Sequence, residues 1–293
     1  MDLRTESRVY TVGEASVTRI TDRVLDTLRG PDIFPDWTHE AVRDHAQPMR
    51  PEHLGEDGER LLMSVHSWLV RVGGKTVLVD TGIGNGKSRP FNPIFHQLNT
   101  DYLRRLAHAG VTPEAVDMVL LTHLHVDHVG WNTINVDGAW VPTFPNARYV
   151  YAQAEEDFYA SDEGASRRMV FDDSVLPLIE AGLVQRIGDG GGAVDAHFHF
   201  HPTPGHCVGH MSIGLASAGA SALFGGDVMH HPLQLRHPAW NAVFCAEAEQ
   251  ARRSRAWALA YVADTRGLYF SSHFAGTSVV QAKGPDPAQW AFV

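Results

Sequence analysis

Leu120-Leu121-Thr122-His123-Leu124-His125-Val126-Asp127-His128-Val129-Gly130 decides how this chain is read. An apolar run from Met118 to Leu121 stops at three histidines and one aspartate packed into residues 123–128. Neither an amphipathic helix nor an alternating strand is built that way. If residues 117–122 form a buried strand, His123 and His125, two apart in extended chain just past its end, project to one side and can grip one ion together. A turn or helix start at Val126 sends Asp127 and His128 elsewhere, toward a second ion. Neutral imidazole and carboxylate are the ligands expected for zinc, with iron and manganese open on ligand type alone.

Outward from this stretch, Val79-Asp80-Thr81-Gly82 precedes it, and Thr203-Pro204-Gly205-His206, Gly226-Asp227 and Ser271-Ser272-His273 follow it. In that order these segments resemble the metallo-β-lactamase-fold hydrolase superfamily. The resemblance spans roughly residues 65–274 and implies an α/β fold, a four-layer αββα sandwich with a dinuclear metal site along one edge of its paired sheets. It also implies the ligand set. His123, His125 and His206 would hold the first ion, Asp127, His128 and His273 the second, and Asp227 would bridge them, with Asp80 supporting the site from behind. Within the superfamily the arrangement is similar to the lactonase and organophosphate-hydrolase branch, because Asp227-Val228-Met229-His230-His231-Pro232 follows the bridging position and an N-terminal excursion precedes the core. Many lactonases of that branch carry a tyrosine three residues after the aspartate. Here His230 stands in its place, which puts acyl-homoserine lactone specificity in question. As a catalytic candidate beside Asp127 and Asp227, His230 either hydrogen-bonds a leaving group, lines the substrate pocket, or is a packed supporting histidine.

Composition narrows the function classes. The chain has 293 residues, 44% hydrophobic, enough for a sizeable core in one domain, residues 1–293. Twenty-four basic against 34 acidic residues give a net charge of −10, and the densest basic run is Arg252-Arg253 with Arg255, so nucleic acid is not the expected partner. Two cysteines, Cys207 and Cys245, make no disulfide framework, and Cys207 beside His206 reads as a small, partly buried thiol rather than a ligand. No charged-then-apolar leader opens the sequence and no apolar run approaches the ~20 residues that span a bilayer, so the expectation is a cytoplasmic protein with a small-molecule substrate and no membrane partner.

Along the chain, residues 8–12 and 16–21 read as a hairpin across Gly13-Glu14. The pattern then breaks down over about 22–60, where Pro31, Pro35, Pro48 and Pro51, scattered charge, and the aromatics Phe34 and Trp37 suggest an excursion acting as a lid or a homodimer contact. Strands over 65–72 and 75–79 flank Gly73-Gly74, a pair suited to a tight turn. Gly82-Ile83-Gly84-Asn85-Gly86 lacks the spacing of a phosphate cradle. A helix is expected over 97–109, with Leu98, Tyr102, Leu103 and Leu106 on one stripe, then a turn with Thr112 at the N-cap and Pro113 at the first position. Trp131, Trp140 and Phe144 suit a pocket wall and core packing equally. Further on, 147–151 reads as a strand, 153–159 as a helix, 167–181 as helix interrupted at Pro177, and 183–187 and 194–200 as strands. His197, His199 and His201 share one face of the last of these, but no carboxylate joins them, so they read as structural or solvent-facing. A hairpin over 211–225, an amphipathic helix over 247–263 and a short strand over 267–270 complete the succession, and His210 reads as a supporting residue.

The implied chemistry follows from charge. Two divalent ions, two carboxylates and a bridging hydroxide leave a net charge of about +1, which favours attack on a polarised carbonyl or phosphoryl centre and stabilises an oxyanion. The expected activity is hydrolysis of a lactone or other carboxylic ester by the bridging hydroxide, with phosphotriester or thioester hydrolysis as alternatives. A metal-stabilised binding protein is the alternative outside catalysis. A missing ligand would favour it, and none is missing.

Overall fold

The structure, a computed structural model, describes residues 8–49, 51–284 and 286–293. Two compact units divide these residues. One comprises Val65–Gly192 with the residues up to Arg23, the other Val24–Ser64 and Ala193–Val293. Helices and mixed sheets make up both, as the expected α/β class requires.

The first sheet has seven strands, ordered β1 (Val9–Val12), β2 (Ala15–Arg29), β3 (Arg60–Val72), β4 (Lys75–Val79), β5 (Met118–Leu120), β8 (Arg148–Ala152) and β9 (Val184–Ile187). A separate hairpin, β6 (Thr133–Val136) and β7 (Ala139–Pro142), lies outside it. β3 and β4 join across Gly73 and Gly74, at φ 57 and 75, the left-handed pair that a tight primed turn needs. From β4 onward the pairing is parallel, with Val79 opposite Leu120 and Leu120 opposite Val150. Adjacent parallel strands present their carboxyl ends on the same side, so Asp80 and the Thr122–His128 loop emerge together. The crossovers carry α3 (Tyr102–His108), α4 (Gln153–Ala160), α5 (Arg168–Ser174) and α6 (Leu176–Glu180). Leu69, Leu78, Leu106, Val119, Leu121 and Tyr149 form the core of this unit.

The second sheet runs β10 (Gly192–Ala193), β11 (Phe198–Pro202), β12 (Met211–Ser217), β13 (Ala220–Phe224), β14 (Leu268–Phe270), β15 (Val279–Gln281) and β16 (Ala291–Phe292). β13 and β14 are parallel with Phe224 opposite Phe270, so Asp227 and His273, each three residues beyond its register partner, come off the sheet side by side. The long helix α8 (Ala248–Thr265) buries Ala251, Arg255, Ala258, Leu259 and Val262, a stripe at helical spacing of which Ala258, Leu259 and Val262 pack with Leu223 and Tyr269 of the sheet. Two shorter helices, α1 (Gly30–Ile33) and α2 (His39–Met49), follow β2, and α7 (Leu233–Arg236) follows the Asp227 loop.

Three local expectations change. The stretch 22–60 is not irregular throughout, because β2 continues to Arg29 and α2 is helical. Charge at Asp22 hides that strand in the sequence. Its buried carboxylate accepts from Ile83 N (2.7 Å) and from the Thr100 hydroxyl, which makes a polar strand position affordable. The helix expected from Gln97 starts only at Tyr102, since Gln97 is left-handed at φ 49 and Thr100 N is taken by Asn85 Oδ1 (2.8 Å). Thr112 occupies the N-cap position of a short 3-10 turn, but its side chain makes no capping bond.

Candidate metal centre

In the first unit, the loop after β5 folds back on itself through a bond from His128 N to His125 O (3.0 Å). His123 and His125 stand together as expected, ring centroids 4.5 Å apart, but the return brings the His128 ring to 4.0 Å from His123 instead of sending it away. Asp127 Oδ1 lies 3.9 Å from His128 Nε2. The buried carboxylate of Asp80 organises the group. Its Oδ1 accepts from Thr122 N (2.8 Å), and its Oδ2 accepts from His128 Nδ1 (2.8 Å), which leaves Nε2 as the lone-pair nitrogen of His128. Asp80 holds φ 56, an uncommon conformation for a residue other than glycine, and the bonds it makes fix it there. At the end of the loop, a Cβ on Gly130 would meet Ile83 backbone at 1.8 Å, so only glycine fits.

In the second unit, three imidazoles surround Asp227. His206 Nε2 is 3.2 Å and His230 Nε2 3.3 Å from its Oδ2, while His273 Nε2 is 3.0 Å from its Oδ1. All four residues are buried. His206 sits in the β11–β12 loop, where Gly205 holds φ 123 and passes so close to α8 that a Cβ would meet Ala251 N at 2.2 Å. His273 Nδ1 donates to Ser64 O (3.1 Å), again leaving Nε2 as the ligand nitrogen, and Ser271 Oγ accepts from His273 N (3.0 Å). His210 Nδ1 pairs with Thr203 Oγ1 (2.9 Å) and its Nε2 accepts from Asp227 N (2.8 Å), so it sets the Asp227 loop rather than ligating. His230 is anchored through its main chain, whose N–H donates to Gln234 Oε1 (2.7 Å). Burial pushes the His230 imidazole below its ordinary pKa despite the neighbouring Asp227. The acceptor pattern, tautomers and donor types of both sets fit a transition metal ion.

Each sequence-derived site residue thus lies in one of two sets, His123, His125, Asp127 and His128 in the first unit and His206, Asp227, His230 and His273 in the second. The His199 and His201 rings pair at 4.5 Å on β11, and His201 packs on Trp257 and Tyr261, as a structural or solvent-facing ladder would. Burial and the neighbouring His199 hold His201 down at about 4. Trp131 and Phe144 are core residues, Trp131 stacked on Tyr102 at 5.2 Å, while Trp140 receives Lys87 Nζ 3.8 Å from its ring centre. Three supports escape sequence reading. Glu155, buried on α4, accepts Leu124 N (2.9 Å) inside the histidine loop. Lys87 and Arg89, both buried, share Asp173, with Arg89 bidentate at 2.7 Å on each oxygen. Arg255 on α8 donates to Val228 O (2.8 Å), next to Asp227. None belongs to a motif, and each stands among other polar or charged residues, so the sequence does not mark it.

A family model described as the metallo-beta-lactamase superfamily matches residues 60–273. No curated protein matches the chain in sequence. Among solved structures, the hydrolase AbOPH of the beta lactamase superfamily is 23% identical, covers 98% of this chain and 96% of its own, and superposes with a TM-score of 0.77. AidC, a dizinc quorum-quenching lactonase bound to an N-acyl-homoserine product, is 21% identical over 100% of this chain and 98% of its own, with a TM-score of 0.74. A probable metal-dependent hydrolase from Staphylococcus aureus is 19% identical over 97% and 98%, with a TM-score of 0.80.

Proposed function

This chain belongs to the metallo-beta-lactamase superfamily of hydrolases, and from that premise we propose that it hydrolyses a lactone or other carboxylic ester with two divalent ions, zinc first among them. We assign His123, His125, His206 and Asp227 to one ion, and Asp127, His128, His273 and Asp227 to the other. The observation that carries this reading is the tautomer of two ligands. His128 and His273 each give Nδ1–H to a fixed oxygen, Asp80 Oδ2 and Ser64 O, which makes Nε2 the lone-pair nitrogen each would offer an ion. Dizinc AidC and its homoserine product support the metal and the ester class.

When bound, two such ions would lower the pKa of water to about 7 and polarise the substrate carbonyl. The rest falls to the chain. Asp227 and Asp127 offset part of the cationic charge, and the buried imidazoles keep bulk water from competing with substrate. Asp127, 15% exposed against 5% for Asp227, is the carboxylate able to move protons. Water adds to the acyl carbon, its proton passes to Asp127, and Asp127 returns it to the departing alkoxide oxygen.

Metal analysis of protein purified without added metal, with turnover of lactones, aryl esters, thioesters and phosphotriesters, tests the reading. About two ions per chain and chelator-sensitive turnover, fastest on a lactone or aryl ester, is the expected result. Preference for thioester or phosphotriester moves the substrate class. Zero or one ion, and no turnover after metal is restored, overturns catalysis in favour of a binding protein.

A further inference from the structure

Asp227 is flanked by one imidazole more than the superfamily's ligand set uses. Resemblance accounts for His206 and His273 and leaves His230 over. Yet His230 Nε2 stands 3.3 Å from Asp227 Oδ2, as His206 Nε2 stands 3.2 Å from the same oxygen. One ligand atom from each of His206, Asp227 and His230 lies within 4.8 Å of the others. In a tetrahedral zinc site with bonds of about 2.0–2.1 Å, ligand atoms are separated by about 3.4 Å. Both spacings to Asp227 Oδ2 fall close to that edge.

The neighbourhood fixes His230 where an ion would need it. Its N–H is tied to Gln234 Oε1, and Gln234 Nε2 donates to Trp240 O (2.9 Å), so the segment after Asp227 closes on itself. The His230 ring is buried, lies parallel to His273 at 5.8 Å, and has Phe244 at 5.5 Å. A leaving-group donor has to meet substrate, whereas this ring turns its Nε2 onto the carboxylate oxygen that His206 also faces.

From this geometry we infer that His230 is a ligand of the ion held by His206 and Asp227, so that the chain binds its metals through six imidazoles rather than five. The inference rests on the metal-centre reading above and deepens it. A further neutral nitrogen donor raises preference for zinc, cobalt or nickel over the oxygen-seeking manganese and magnesium.

The full chain loaded with cobalt tests it, comparing wild type with His230→Gln. Solvent-exchangeable, hyperfine-shifted imidazole N–H resonances report ligated histidines, and competition with a chromophoric chelator reports affinity. The expected result is loss of one such resonance together with a weakening of one ion's affinity by more than the roughly 10–100-fold that an outer-shell change costs, and reduced discrimination of zinc against manganese. An unchanged resonance count with both affinities kept overturns the inference and leaves His230 beside substrate. If the variant fails to fold, wild type carrying cadmium-113 and nitrogen-15 histidine decides alone, since six coupled imidazoles support the assignment and five overturn it. Failure of wild type to bind two divalent ions is a separate outcome that overturns the metal-centre reading itself, and this inference with it.

Discussion

Replacing Asp80 with asparagine exchanges one carboxylate oxygen for an amide NH2 and leaves shape almost untouched. Asparagine tolerates the left-handed φ of 56 at this position, so the backbone stays where it is. Aspartate accepts on both sides, from Thr122 N and from His128 Nδ1, at 2.8 Å each. An asparagine oxygen can face only one of those donors, and its NH2 then opposes the other. Loss of a buried charge-assisted bond costs the metal-free fold about 1.5–3 kcal/mol. If the His128 ring is the one left without an acceptor, its Nε2 is no longer held as the ligand nitrogen, and affinity for its ion falls by roughly 10–100-fold, about 1.4–2.7 kcal/mol. Chelator competition measures the second effect, and thermal melting of the metal-free protein measures the first. A variant that melts early yet binds both ions within twofold of wild type would refute the link between Asp80 and the metal, leaving Asp80 a purely architectural residue.

Asp127→Ala and His206→Ala are expected to lower metal content at different ions, read by metal analysis after gel filtration; full occupancy in either variant sinks the ligand assignment. Phe34 is fully buried against Trp240, ring centroids 5.9 Å apart, so Phe34→Ala should destabilise by about 3–5 kcal/mol in denaturant unfolding. An effect under about 1 kcal/mol would mean the segment after β2 is held by other contacts. Burial pushes Lys87 down from 10.5 to about 8, with Asp173 opposing the shift. The folded state therefore binds fewer protons than the unfolded state between those values, so stability at this site is present above the upper pH and lost as pH falls through about 8. Lys87→Met should flatten that slope relative to wild type in urea titrations, and an identical slope in both proteins would contradict the assignment.

Much of this was legible because the ligands are short-range in sequence. HxHxDH, TPGH and the Asp and His that follow β13 and β14 stand directly after strands, and strand ends are what hydrophobic patterning locates best. Supporting contacts were legible only in part. Asp80 stands in a motif and His210 four residues past another, whereas Glu155, Arg255 and the Lys87–Asp173–Arg89 group act across 27 to 86 residues of sequence, beyond any local pattern. The misjudged stretch after Thr21 has a similar cause, since the partners that make Asp22 tolerable in a strand, Ile83 and Thr100, lie far along the chain.

The two ligand histidines held by their Nδ1 atoms differ in what holds them. His128 depends on a side chain, Asp80, while His273 depends on the main-chain carbonyl of Ser64. No substitution at Ser64 can delete a peptide oxygen, but almost any substitution at Asp80 deletes its carboxylate. Under neutral drift these two ligands of one ion are therefore unequally protected. A descendant on its way to losing catalysis should let the His128 ring swing away from that ion first, while His273 still presents its Nε2.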